Sequence, residues 1–160
     1  MPNQSLRTNE DAAEVVDTYA NMVYRLAFAQ VGNVSDAEDV FQEVFLRYIR
    51  RSRTFESEEH RKAWLIRVTV NCAKDHFRLM AKQKNLPLTD IPFEQPEESL
   101  LHEAMQTLPP AYRAVIHLFY YEDFPVERIA KTLHVSPAAV RMRLHRARAM
   151  LEKTLKGWER

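Results

Sequence analysis

The stretch from Val126 to Leu151, VERIAKTLHVSPAAVRMRLHRARAML, constrains this chain most, because its two apolar stripes fit two short helices meeting at a sharp turn. Val126, Ile129, Ala130 and Leu133 recur at i, i+3, i+4 and i+7, and Val140, Leu144, Ala147 and Leu151 at i, i+4, i+7 and i+11. Ser136 is the natural N-cap of the second helix, since its hydroxyl can accept from the free amides of the first turn. Pro137 follows it, where a missing N–H and a fixed φ do no harm. His134 occupies the turn, where a tight bend calls for positive φ, a region histidine tolerates better than most residues. The pattern is that of a helix-turn-helix.

On the second helix Ala138, Ala139, Met142, His145 and Arg146 fall opposite the apolar stripe, with Arg141 and Arg148 on one flank and Arg143 on the other. Small residues in a first turn let a helix approach base edges in a major groove, and cations behind them reach phosphates. From Arg128 to Arg148 there are six Lys or Arg residues and no acid, so the local charge suits a polyanion. The alternative is a basic hairpin face that is merely solvated.

A chain of 160 residues, 46% of them hydrophobic, can bury one ordinary core or two small ones. With only two glycines and no alternating run bounded by hairpin dipeptides, the expected fold is all-α. The net charge of +1 is a sum of opposed blocks and does not exclude nucleic acid. The lone cysteine, Cys72, rules out an intramolecular disulfide. With no leader-like or membrane-length apolar run, the expectation is a cytoplasmic protein without membrane insertion.

Between Asn85 and Ser99 the prolines at 87, 92 and 96 and four acids without a base read as an extended, acidic linker. Two small helical domains follow, 11–83 and 100–160, joined by 84–99. In the first, one amphipathic helix is expected from Ala12 to Gln30, with Val15, Val16, Tyr19, Val23, Leu26 and Ala27 inward and Gly32-Asn33 ending it. A second is expected to start with a Ser35/Glu38 capping box and to bury Val40, Phe41, Val44, Phe45, Tyr48 and Ile49. A third, from about Arg61 to Lys82, carries Leu65, Val68, Cys72, His76 and Leu79 on its apolar face.

The outer face of the third helix holds Arg67, Asn71, Lys74 and Arg78, and the stretch from Arg61 and Lys62 to Lys84 has seven bases against one acid, Asp75. Such a stripe can hold a phosphate backbone, and an asparagine within it can read a base edge. The second helix shows the reverse, with Asp36, Glu38, Asp39 and Glu43 outside beside Gln42 and Leu46. Acids near a helix start complement the macrodipole, but Glu43 lies beyond the first turn and suits docking of a basic helix. Catalytic signals are absent: the histidines are scattered, Cys72 and His76 form a lone C-x3-H, and no phosphate loop occurs, so no enzyme activity, metal or cofactor is expected. Trp64, beside Leu65 and not far from Phe55, fits a core or domain edge better than a base-stacking platform.

These segments, in order, resemble the group IV or extracytoplasmic-function sigma factors of bacterial RNA polymerase. DAEDVFQEVFLRYIR is similar to the family's polymerase-docking helix and AWLIRVTVNCAKDHFR to its promoter-melting and minus-10 helix. LPPAYRAVIHLFYYEDFPVERIAKTLHVSPAAVRMRLHRARAML is similar to its minus-35 domain. The resemblance implies that Asp36, Glu38, Asp39, Gln42 and Glu43 contact the coiled coil of the largest polymerase subunit, with the flap as a further contact. It implies that Asn71, with the Ser52 to His60 loop, reads a flipped minus-10 base, and that Ser136, Ala139, Arg141, Arg143 and Arg146 meet the minus-35 duplex. It also implies a linker directed toward the polymerase active-site region and a separate anti-sigma factor. Met142 stands where the family commonly has a small polar residue and His134 where it commonly has glycine.

Overall fold

The computed structural model describes residues 4–51, 54–82 and 96–158, with side chains at 12–51, 54–79 and 101–157. Seven helices make up its regular structure: α1 (Gln4–Val31), α2 (Val34–Arg50), α3 (Glu58–Lys82), α4 (Pro96–Gln106), α5 (Pro110–Tyr120), α6 (Val126–Leu133) and α7 (Pro137–Trp158). No strand occurs among the described residues, in keeping with the all-α expectation.

Helices α1, α2 and α3 pack against one another around Val23, Leu26, Ala27, Val40, Val44, Leu65 and Ile66. Gly32 ends α1 at φ 88, the left-handed region where a side chain is strained. A Cβ there would also meet the Gln106 side-chain oxygen at 2.6 Å. The start of α2 differs from the Ser35/Glu38 capping box. Asn33 is the cap: its Oδ1 accepts from the Asp36 N–H at 2.8 Å and its Nδ2 donates to the Asp36 carboxylate at 2.7 Å. Ser35 is thereby drawn into the first turn. Ile49, expected inside, is 45% exposed, because the buried arc of α2 centres on Val40, Val44 and Tyr48. Leu79 of α3 is 60% exposed for a related reason: full burial on α3 ends at Ala73, and Ile66, Thr69 and Ala73 widen the buried face. The helix also starts earlier than Arg61, since Ser57 Oγ accepts from the His60 N–H at 3.0 Å and Glu58 and Glu59 supply acids to the first turn.

The second half packs α5, α6 and α4 onto α7 around Leu118, Phe124, Ile129, Val140 and Leu144. Helix α4 begins at Pro96, so the last four residues of the expected linker are helical; proline is pre-set for a first helical position. Residues 84–95 of that linker, with residue 83 before it, lie outside the described residues. Helix α6 keeps the limits its apolar stripe sets. His134 follows it at φ 57 and ψ 44, letting the Val135 N–H return to the Ala130 carbonyl at 3.0 Å. Ser136 Oγ accepts from the Ala139 N–H at 3.0 Å, and α7 opens on Pro137.

The halves meet along a seam in which α4 and α5 face α1 and α6 faces α3. The last carbonyls of a helix have no partner inside it. Here the other half supplies them: Gln106 Nε2 donates to Ala29 O at 3.3 Å, Arg113 Nη2 to Gln30 O at 2.6 Å, and the His102 ring nitrogen lies 2.8 Å from Gly32 O. Gln30, 1% exposed, returns a bond to Pro110 O at 3.3 Å. Arg113 is 4% exposed and also donates to Leu108 O at 2.7 Å; its guanidinium meets the negative end of the α1 dipole. At the edge of the seam Glu122 lies 3.7 Å from Arg25 and 3.8 Å from Lys62.

Candidate nucleic-acid interface

The outward face of α7 is as its periodicity dictates. Ala138, Arg141, Met142, His145 and Arg146 are exposed, Ala139 and Arg143 half-buried, while Val140, Leu144 and Ala147 anchor the helix from behind. The cap on Ser136 fixes where this face begins, and the left-handed His134 fixes its angle to α6. Arg141 lies within 4.0 Å of Glu127, an exposed pair that costs little to break. Arg148 is differently employed. Its Nε donates to Tyr120 Oη at 2.7 Å and its guanidinium lies over Phe119 and Tyr120 at 5.4 and 5.6 Å, so it packs α7 onto α5.

On α3 the basic residues divide in the same way. Lys74 and Arg78 are exposed, with Arg78 4.0 Å from Asp75. Arg61 pairs with Glu58 and lies over the Phe55 ring, and Lys62 is drawn to Glu122 and stands 5.1 Å from the Phe124 ring centre. Arg67, Asn71 and Lys74 line a crevice of about 190 Å³ whose opposite wall includes Leu133, Val135 and Arg143. Arg143 is thus the one residue of the α7 basic face that lines this crevice with the α3 residues, while Asn71, Lys74 and Arg78 remain exposed. Trp64 packs edge-on against Phe55 and Tyr48, at 5.7 and 6.0 Å, and is half-buried as a domain-edge residue.

On α2 the acids are not equivalent. Glu38, Asp39 and Gln42 are exposed with Leu46, which is 43% exposed. Asp36 is tied to Asn33 and lies 2.9 Å from His76 Nε2, and Glu43 accepts from Arg47 Nε at 3.1 Å while Arg47 reaches Asp75. Ligand atoms of Asp36, Asp39 and His76 come within 4.8 Å of one another, a closeness the Asp36–His76 pair accounts for. Cys72 is buried, and desolvation pushes its thiol up to about 11, which makes it inert. The buried Gln30, Arg113 and His117 escaped the sequence reading, since a polar residue on an amphipathic helix gives no sign that a second domain will cover it.

Residues 15–82 match the family Sigma-70 region 2 and residues 98–151 the family Sigma-70, region 4. The chain is 34% identical over 156 residues to the ECF RNA polymerase sigma factor SigE of Mycolicibacterium smegmatis, covering 89% of this chain but 60% of that protein. It is 34% identical over 133 residues to the RNA polymerase sigma factor SigV of Bacillus subtilis, covering 78% of each. In fold it is similar to the sigma factor RpoE of Bartonella quintana, solved in complex with the anti-sigma factor NepR. The TM-score is 0.77 at 18% identity, over 92% of this chain and 98% of that one. No helix among the described residues is long and apolar enough to cross a membrane. With both sigma regions present in order and a relative of this identity matched over most of its length, the chain belongs to the ECF sigma factors, the RNA polymerase subunits that direct promoter recognition and transcription initiation.

Proposed function

We propose that the chain works through three surfaces. Glu38, Asp39 and Gln42 of α2 dock the coiled coil of the largest polymerase subunit, with Asp36 and Glu43 holding neighbouring side chains in place. Arg67, Asn71, Lys74 and Arg78 of α3 meet the minus-10 strand, with Arg61 and Lys62 beside them. Ser136, Ala138, Ala139, Arg141, Met142, Arg143, His145 and Arg146 of α7 meet the minus-35 duplex. A small first turn followed by outward cations, fixed by the Ser136 cap, is the observation that carries this reading. The place of action is the cytoplasm, where core polymerase and promoter DNA are the partners. An anti-sigma factor is a further partner, a reading supported by the similar fold solved with one. Run-off transcription with purified core polymerase on a genomic library, with start sites mapped, tests it. Discrete starts sharing minus-10 and minus-35 elements are expected, and Asn71→Ala should impair melting and relax choice at one minus-10 base. Equal transcription with and without the chain would reject the reading.

A further inference from the structure

Beside the polar contacts at the end of α1 the structure leaves a cavity of about 380 Å³, within the roughly 300–1,000 Å³ that sites for small molecules occupy. None of the residues lining it belongs to the polymerase, minus-10 or minus-35 surfaces proposed above. Its walls are built largely of rings. Phe28 of α1 stacks on His102 of α4 with centroids 4.8 Å apart, and Tyr24 lies 6.5 Å from Phe28 at an interplanar angle of 21°. From the end of α5 come His117 and Tyr121, stacked on each other at 5.1 Å. Hydrogen bonds fix these walls from behind: the His102 ring nitrogen lies 2.8 Å from Gly32 O, and Gln106 Nε2 donates to Ala29 O at 3.3 Å. A preformed, ring-lined hollow of this size suits a flat ligand.

One polar atom in these walls is left over. His117 is 3% exposed, and among the described residues its Nε2 is buried with no hydrogen-bond partner. A buried polar atom in that state is costly and calls for an explanation. Burial pushes the His117 pKa down to about 4, so at neutral pH the imidazole is uncharged and Nε2 can donate or accept according to its tautomer. Arg25, which also lines the cavity, already stands 3.7 Å from Glu122, so its charge is compensated and does not call for an anion. We propose that the cavity binds a neutral, flat, bicyclic aromatic molecule carrying one hydroxyl or ring nitrogen, which hydrogen-bonds to His117 Nε2. The surrounding rings supply stacking and edge contacts, Leu101 and Met105 cover its apolar edge, and the bond to His117 sets its orientation. Pairing a buried atom that is otherwise unpaired makes the site selective, because an analogue without the polar group leaves Nε2 unsatisfied and gains only the burial of its rings.

The test measures binding of β-naphthol, and of naphthalene as its counterpart without the hydroxyl, to the full chain by equilibrium dialysis. The parent should bind β-naphthol saturably at a single site, with naphthalene at least about tenfold weaker. His117→Phe should bring the two probes to within about twofold of each other by losing affinity for β-naphthol alone. Leu101, 44% exposed at the edge of the cavity, gives an independent variant: Leu101→Trp should fill the cavity and weaken both probes together, with helical circular dichroism retained. Absence of saturable β-naphthol binding by the parent overturns the proposal, as does a folded His117→Phe chain that keeps the full preference or a folded Leu101→Trp chain that binds as the parent does. If His117→Phe fails to fold, nuclear Overhauser contacts in the parent decide: contacts from β-naphthol to the rings of both Phe28 and Tyr121 support the site, and their absence overturns it.

Discussion

Two arginines only about 3 Å of helix rise apart can have unrelated jobs, and Arg146 and Arg148 on α7 are such a pair. Arg146 is exposed with no described partner drawing it inward, whereas Arg148 is bonded to Tyr120 and stacked on two rings. Arg146→Ala should weaken minus-35 recognition by roughly 1–3 kcal/mol if the contact is bidentate to a base. Arg148→Ala should instead cost about 1 kcal/mol of stability, through the lost hydrogen bond and ring contacts. Promoter-variant transcription alongside urea unfolding separates the two; equal effects on both readouts would reject the division. His117 supplies a prediction of another kind. Burial, with a smaller contribution from the Arg25 charge, pushes it down to about 4, so its folded pKa lies below the ordinary value of 6.5. Between those values the unfolded chain binds a proton that the folded chain refuses. Its contribution is therefore complete above about pH 6.5 and is lost as the pH falls toward 4, up to about 3 kcal/mol. Unfolding curves for the parent and His117→Phe over this range should converge in slope only above pH 6.5.

At the scale of elements, α2 shows how a face expected from periodicity is edited by its neighbours. Asp36 and Glu43 are engaged within the bundle, leaving Glu38 and Asp39 as the acids free to meet a basic partner. Glu38→Arg with Asp39→Arg should abolish co-purification with core polymerase while circular dichroism stays unchanged, because both side chains lie outside the packed arc. Normal co-purification of the folded double variant would remove α2 from the docking role. What the sequence made legible follows the same line between local and distant causes. Helix α6, the His134 turn and the Ser136 cap are set by residues within one or two turns, and all were readable. The cap of α2 was misplaced by two residues because Ser35 and Asn33 offer the same chemistry. The spacing on α3 gave the right outward residues, Arg67 and Asn71, but no periodicity reveals that another helix pair will stand opposite them. The exposed Ile49 and Leu79 were missed because a stripe marks direction, not the length over which neighbours accompany it.

For the whole molecule, the seam joins the two halves through polar contacts as well as apolar ones. Each half offers a small basic footprint, and the two come together only where Arg67, Asn71 and Lys74 line one crevice with Arg143. The carboxylate of Glu122, only 10% exposed, lies between Arg25 and Lys62 of the other half. Added salt weakens every phosphate contact by counterion competition, whereas ion pairs this close and this little exposed on the acid's side are screened much less. A nearly buried carboxylate held between two cations thus ties the halves together in a way that rising salt leaves largely in place.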